Sequence, residues 1–134
     1  MAVELPTDYK PSETEEFLNP RQLEYFRLRL EKLRADLSQE LSVISHPKSE
    51  EGGREGDQAD QASAETERDL EQINRDRVRV LLRQTEQALA RLQNGSFGYC
   101  EDTGEPIGLK RLIAQPTTSL SLEAQEARER RAGR

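Results

Sequence analysis

A chain of 134 residues that is 34% charged and 33% hydrophobic, with three Phe, three Tyr and no Trp, cannot fill a wide core, but it can fill the narrow seam of a long helical pair. The net charge of −6 argues against general affinity for nucleic-acid backbones, and the acid is concentrated: residues 50–71 hold nine acidic side chains against two arginines, a local charge of −7. A single cysteine excludes an internal disulfide, no apolar run approaches the ~18 residues of a membrane span, and Met1 opens no secretory leader, so a soluble cytoplasmic protein is expected.

Residues 1–18 are polar, carry Pro6 and Pro11 and an acidic cluster from Glu13 to Glu16, and read as an arm, mobile or partly docked through Phe17 and Leu18. Asn19-Pro20 is a helix start, with Asn as N-cap and Pro at the first position, where its missing N–H costs nothing. Leu23, Phe26, Leu30, Leu33, Leu37, Leu41 and Ile44 follow at steps of three or four, which is one sustained seam. Pro47 stops it. Lys48 to Gly56 is charged, holds three glycines and reads as a turn.

A second helix is predicted to begin near Asp57 or at Asp60, since acids favour the first turn. Its looser seam runs through Leu70, Ile73 or Asn74, Val78, Leu81 or Leu82, Thr85, Ala88 or Leu89, and Leu92, and Asn94-Gly95 ends it. Two such helices joined by about ten residues fold back as an antiparallel coiled coil over 19–94, a rod of about 40–50 Å with its tip near 46–62. The predicted fold is therefore mainly α: a long two-helix hairpin projecting from a small base over 95–134, which ends in a helix over Leu120 to Arg131.

That base carries a spacing without its chemistry. Two C-x2-C pairs about 17 residues apart would bring four thiolates to one tetrahedral zinc. Here the four positions are Cys100, Thr103, Ser121 and Ala124. Two hydroxyls that stay protonated at neutral pH and one methyl group do not make a zinc site. The base is instead expected to be held by packing of Phe97, Tyr99, Ile107, Leu109, Leu112, Ile113 and Leu120, with no metal bound. Cys100 then reads as a buried small residue left from the site, or as a redox-responsive thiol. His46 reads as structural or exposed.

Together these stretches resemble the DksA/TraR family of bacterial transcription factors. The resemblance is carried by Gly95-Ser96-Phe97-Gly98-Tyr99-Cys100 with Gly104, Glu105, Ile107-Gly108, Arg111-Leu112 and Pro116-Thr117. It extends to Asn74-Arg75-Asp76-Arg77, to Asp57-Gln58-Ala59-Asp60-Gln61-Ala62 as the D-x-x-D-x-A tip motif, and to the helix opening at Asn19 to Leu30. It covers nearly the whole chain, in order, and the zinc positions make it similar to a zinc-independent branch.

The resemblance implies a monomeric adaptor that binds RNA polymerase, not a specific DNA sequence. It would insert the rod into the secondary channel and deliver Asp57, Asp60 and Ala62 near the catalytic centre to alter open-complex stability. Arg75 and Arg77 are either polymerase contacts or ordinary flanking charges. It also implies ppGpp as a co-regulator held by basic side chains. The aligned positions here are Gln84, Gln115 and Gln125, which leaves Lys110 and Arg111 as the nearby candidates. The alternative is a transcript-cleavage type of factor whose tip carboxylates bind Mg²⁺ and stimulate hydrolysis by the polymerase. An independent enzyme is not expected, since the chain has no P-loop, no H-E-x-x-H, no G-x-S-x-G and one His.

Overall fold

The computed structural model describes residues 3–45 and 58–133. Within them the protein is helical: α1 (Pro20–Ser45), α2 (Gln58–Asn94), α3 (Leu109–Ala114) and α4 (Leu122–Ala132), in that order. The predicted turn and His46 lie outside the described residues. Asn19 Oδ1 accepts from Gln22 N at 3.0 Å, so α1 starts where the Asn-Pro pair predicts, with one orphan donor satisfied. α2 ends at Gly95, whose φ of +83° is the left-handed turn that glycine adopts without strain. At its 37 residues α2 is about 55 Å long, and α1 at 26 residues is about 39 Å.

α1 and α2 pack on each other as the main inter-helix contact. α1 contributes bulk to the seam through Phe26, Leu30 and Leu37, and α2 meets it with Val78, Thr85 and Ala88, all buried. Small residues on one side let large ones on the other interdigitate, and each buried large side chain contributes roughly 1.5–3 kcal/mol. Thr85 brings a hydroxyl into this seam and satisfies it on Leu81 O at 2.7 Å. At the distal end the expected seam is corrected. Leu70 and Ile73 are 60% and 64% exposed, and Asn74 takes the inward position. Arg75 of α2 lies opposite Ile44, near the end of the described part of α1.

The base gathers around Phe26, Leu30, Ala88, Phe97, Leu109 and Leu112. A chain of edge-on aromatic contacts crosses it: Tyr9 to Tyr25 at 6.1 Å, Tyr25 to Phe26 at 5.2 Å, then Phe26 tilted on Phe97 at 5.3 Å. The short α3, which sequence periodicity did not predict, puts Leu109 and Leu112 into this cluster. Arg29 of α1 donates to Ile113 O and ties α3 to the rod. Tyr99 corrects the expected packing set, being 41% exposed with only its inner edge on Phe17 at 6.2 Å.

The arm is docked, and a buried glutamine docks it. Gln22 is fully buried. It accepts from Leu18 N at 2.7 Å and donates to Ser12 O at 3.1 Å and to Glu15 Oε1 at 3.4 Å. Leu18 is held at φ +54°, a left-handed conformation that an ordinary residue keeps only when its surroundings enforce it. Its side chain lies on the backbone of Gly98, where an added β-carbon would come within 2.3 Å of Leu18 Cδ1.

Candidate functional site

Three places hold the residues singled out in the sequence. At the rod's distal end, Ala62 lies on an exposed turn of α2 and its carbonyl accepts from Thr66 Oγ1 at 3.0 Å. Asp60 lies in the first turn of the same helix, and Asp57 immediately precedes the described part of it. Further along the rod, Arg77 pairs with Asn74 Oδ1 at 3.0 Å and with Glu40 of α1 at 3.6 Å. Arg75 turns its guanidinium to the carbonyl of Ile44 and to Gln72.

The second place is the former ligand set. Cys100, Ser121 and Ala124 are buried, while Thr103 is exposed. Burial pushes the Cys100 thiol up, but the backbone and hydroxyl of Ser121 and the hydroxyl and backbone of Thr103 hydrogen-bond to the sulfur. The net result is a thiol lowered to about 6. Hydrogen-bond donors thus surround the sulfur where a metal would stand. Ser121 has a second task that the sequence reading missed: it is the N-cap of α4, its Oγ accepting from Ala124 N at 3.1 Å. The signal was present as Ser-Leu-Glu-Ala, a hydroxyl followed by an acid in the first turn.

Backbone bonds shape the same knuckle. Cys100 N donates to Glu105 O, Gly104 N to Cys100 O and Ile107 N to Gly98 O, each at 2.8 Å. Glu101 N reaches Ser119 O at 2.8 Å and so joins the two halves of the former metal site. Two arginines stitch the halves further. Arg128 of α4 forks onto Asp102, with Nε to Oδ2 at 2.9 Å, and holds the Asp102 carboxyl below the usual carboxylate range. Arg111 of α3 donates to Leu120 O at 2.9 Å and to Gln125 Oε1.

The third place is a cleft of about 430 Å³ where the arm, α3 and the start of α4 meet. Lys110, Arg111 and Gln115 line it, with Glu13 and Glu123 on its acidic side. Lys110 is exposed there, whereas Arg111 is half-buried and committed to the bonds just described. Gln125 is Arg111's partner and is not a lining residue of the cleft.

A pair of long packed helices on a small base with two short helices defines a mainly helical, coiled-coil class of protein. Residues 22–92 match the DnaK suppressor protein DksA N-terminal domain and residues 95–130 the prokaryotic dksA/traR C4-type zinc finger; the chain belongs to the DksA/TraR family. It is 51% identical over 126 residues to an RNA polymerase-binding transcription factor DksA of Caulobacter vibrioides, covering 93% of this chain and 88% of that one. It is 37% identical over 121 residues to the factor of the same name from Escherichia coli K12, covering 90% and 80%. The solved structure of transcription factor DksA2 from Pseudomonas aeruginosa superposes with a TM-score of 0.70 at 33% identity, over 93% and 95% of the two chains.

The zinc that the family's finger implies does not fit these residues. One thiol is present, the Ser121 hydroxyl is occupied as a helix cap, and Ala124 has no donor. Among the described residues, no group of three or more His, Cys, Asp or Glu could hold a metal ion. No described helix is long and apolar enough to cross a membrane.

Proposed function

We propose that this protein binds RNA polymerase, inserts its hairpin into the secondary channel and there changes the stability of promoter open complexes, without needing zinc and with ppGpp as co-regulator. The relatives' names support the polymerase as partner. The observation that carries the rest is the rod of two packed helices, with Asp60 and Ala62 in the first described turns of α2, at its end away from the base. A narrow channel excludes the base and admits such a rod.

Asp57 and Asp60 stand three apart, the spacing of neighbours on one helical face. In a confined, poorly solvated site two carboxylates act more strongly on basic groups or on the surroundings of a catalytic Mg²⁺ than they would in water. Ala62 leaves that approach unobstructed. Affinity is then a property of the base and flanks, Arg77 among them, and the response belongs to the tip. The hydrogen-bonded sulfur of Cys100 and the arginine stitches support a base that folds without metal. For ppGpp, Lys110 is an exposed cation lining the cleft, with Gln115 beside it as an amide donor.

Transcription from a ribosomal promoter with purified polymerase tests the reading. Wild type should repress with excess chelator present and no zinc in the preparation, and more strongly with ppGpp. Asp60→Asn should bind the polymerase and fail to repress. One equivalent of tightly bound zinc overturns metal independence, and unaltered repression by Asp60→Asn overturns the role of the tip. Strong stimulation of RNA cleavage in backtracked complexes, lost in Asp60→Asn, replaces this reading with that of a cleavage factor.

A further inference from the structure

The bonds that dock the arm converge on two side chains. The buried amide of Gln22 accepts from Leu18 N at 2.7 Å and donates to Ser12 O at 3.1 Å and to Glu15 Oε1 at 3.4 Å. The same Glu15 oxygen accepts from the Tyr9 hydroxyl at 2.9 Å and from Ser12 N at 3.1 Å. Donors from three residues on one carboxylate oxygen close residues 9–15 into a loop around it. The Arg21 guanidinium lies over the Tyr9 ring, 4.7 Å from its centroid, and fastens the outer edge.

This clasped loop stands between two cavities. Ser12, Glu13 and Glu15 line the smaller one, of about 120 Å³, together with Gln22 and Leu109. Glu13 and Leu109 also line the cleft of about 430 Å³ that holds Lys110 and Arg111. Around Glu13 the side chains serve the loop itself: Ser12 and Thr14 share a hydrogen bond at 2.8 Å, and Glu15 is the centre of the clasp. Glu13 is left as an exposed carboxylate on the cleft wall. An anion approaching Lys110 therefore enters a space that Glu13 and Glu123 also line, and like charges in a partly enclosed space oppose it.

We propose that the clasped loop is an autoinhibitory wall of the cleft: Gln22 and Glu15 hold it in place, and the Glu13 carboxylate opposes a polyphosphate ligand, so that the factor answers ppGpp only at concentrations above those an open cleft would need. This rests on the reading of the cleft as the place of ppGpp.

The test is promoter transcription with the full chain, purified polymerase and a ppGpp titration, read as the ppGpp concentration for half-maximal enhancement of repression. Glu13→Gln should lower that concentration by roughly fivefold, because it removes the charge and leaves the clasp intact. Glu16→Gln removes an exposed arm carboxylate that does not line the cleft, and should change it by less than about twofold. Gln22→Leu should free the loop and also lower it. That release is read separately by hydrogen exchange on the free protein, where the Leu18 amide, the donor to Gln22 Oε1, should exchange roughly tenfold faster.

A normal ppGpp response with equal half-maximal concentrations in wild type and Glu13→Gln overturns the wall alone. Wild type that ignores ppGpp overturns the co-regulator and the wall together. An equal shift in Glu16→Gln reduces the effect to net charge and overturns the placement of Glu13. A changed half-maximal concentration of factor without ppGpp assigns Glu13 to polymerase contact instead. Unaltered exchange of the Leu18 amide in Gln22→Leu overturns the clasp, and a higher ppGpp requirement in that variant makes the loop part of the binding surface. Should Gln22→Leu fail to fold, Glu13→Gln decides by itself.

Discussion

The rod and the base use their few apolar residues in different ways. Along the rod, α1 and α2 bury one narrow line of side chains, with Leu37 and Val78 lying in it beyond the base. Its outer positions are charged and its ion pairs exposed, such as Lys32 with Asp36. In the base, four aromatic rings run edge to face or tilted across the core, and hydrogen bonds from buried or half-buried polar side chains pin the arm, α3 and α4 around them. A rod can lose one seam residue and slide or fray locally, because its neighbours along the axis still pair. A base this small has no second core to fall back on. The contrast fits the proposed division of labour, with the base holding the protein together and the rod extending a charge.

The sharpest break of that contrast is Phe97→Ala. Phe97 is 2% exposed and faces Phe26, so the substitution should cost about 3–5 kcal/mol in chemical denaturation and loosen the arm as well. Gly98→Ala should follow, at about 2 kcal/mol, because the position combines a φ of +89° with the near contact to Leu18. Val78→Ala in the rod should cost less than either, about 1.5 kcal/mol, with the near-UV signal of the base preserved. If Val78→Ala proved more damaging than Phe97→Ala, the rod would be the stabilising unit and the comparison would be reversed.

A smaller effect depends on pH. The Cys100 thiol lies at about 6 in the folded protein against about 9.0 for an ordinary thiol, so the folded state favours the thiolate. An acid with a lowered folded value stabilises fully above its unfolded value and loses that contribution as pH falls from about 9 through about 6. The stability difference between wild type and Cys100→Ala should therefore widen in favour of wild type from pH 6 to pH 9, in urea titrations with chelator present. A difference independent of pH would remove the thiolate from the account. Arg128→Ala should be smallest, detectable at low ionic strength and lost in physiological salt, since both partners of that pair face solvent.

Much of the fold was legible because its signals are local. Asn19-Pro20 and Asn94-Gly95 mark helix ends through their own backbone chemistry, and the three- and four-residue steps from Leu23 to Ile44 require a helix with one buried side. The absence of three zinc ligands could likewise be read directly, since a hydroxyl or a methyl group cannot replace a thiolate. The Asp57, Asp60 and Ala62 motif was found through resemblance, because acids at a helix start otherwise look like ordinary capping residues.

What could not be read were partnerships across sequence distance. Gln22 looks like any polar residue on a helix until the arm folds over it, and Arg75 looks like a flanking charge until the carbonyl of Ile44 lies beside it. Tyr99 and Leu70 looked like core and are exposed, since burial depends on contacts that the spacing of apolar residues does not fix. The sequence by itself determined where α1 starts and where α2 stops, because those choices rest on each residue's own backbone and its neighbours within a turn. Only the tertiary structure decided which polar groups were left to satisfy and what satisfied them. It set hydrogen-bond donors around the Cys100 sulfur and folded the arm over Gln22, because such needs arise only after packing removes water.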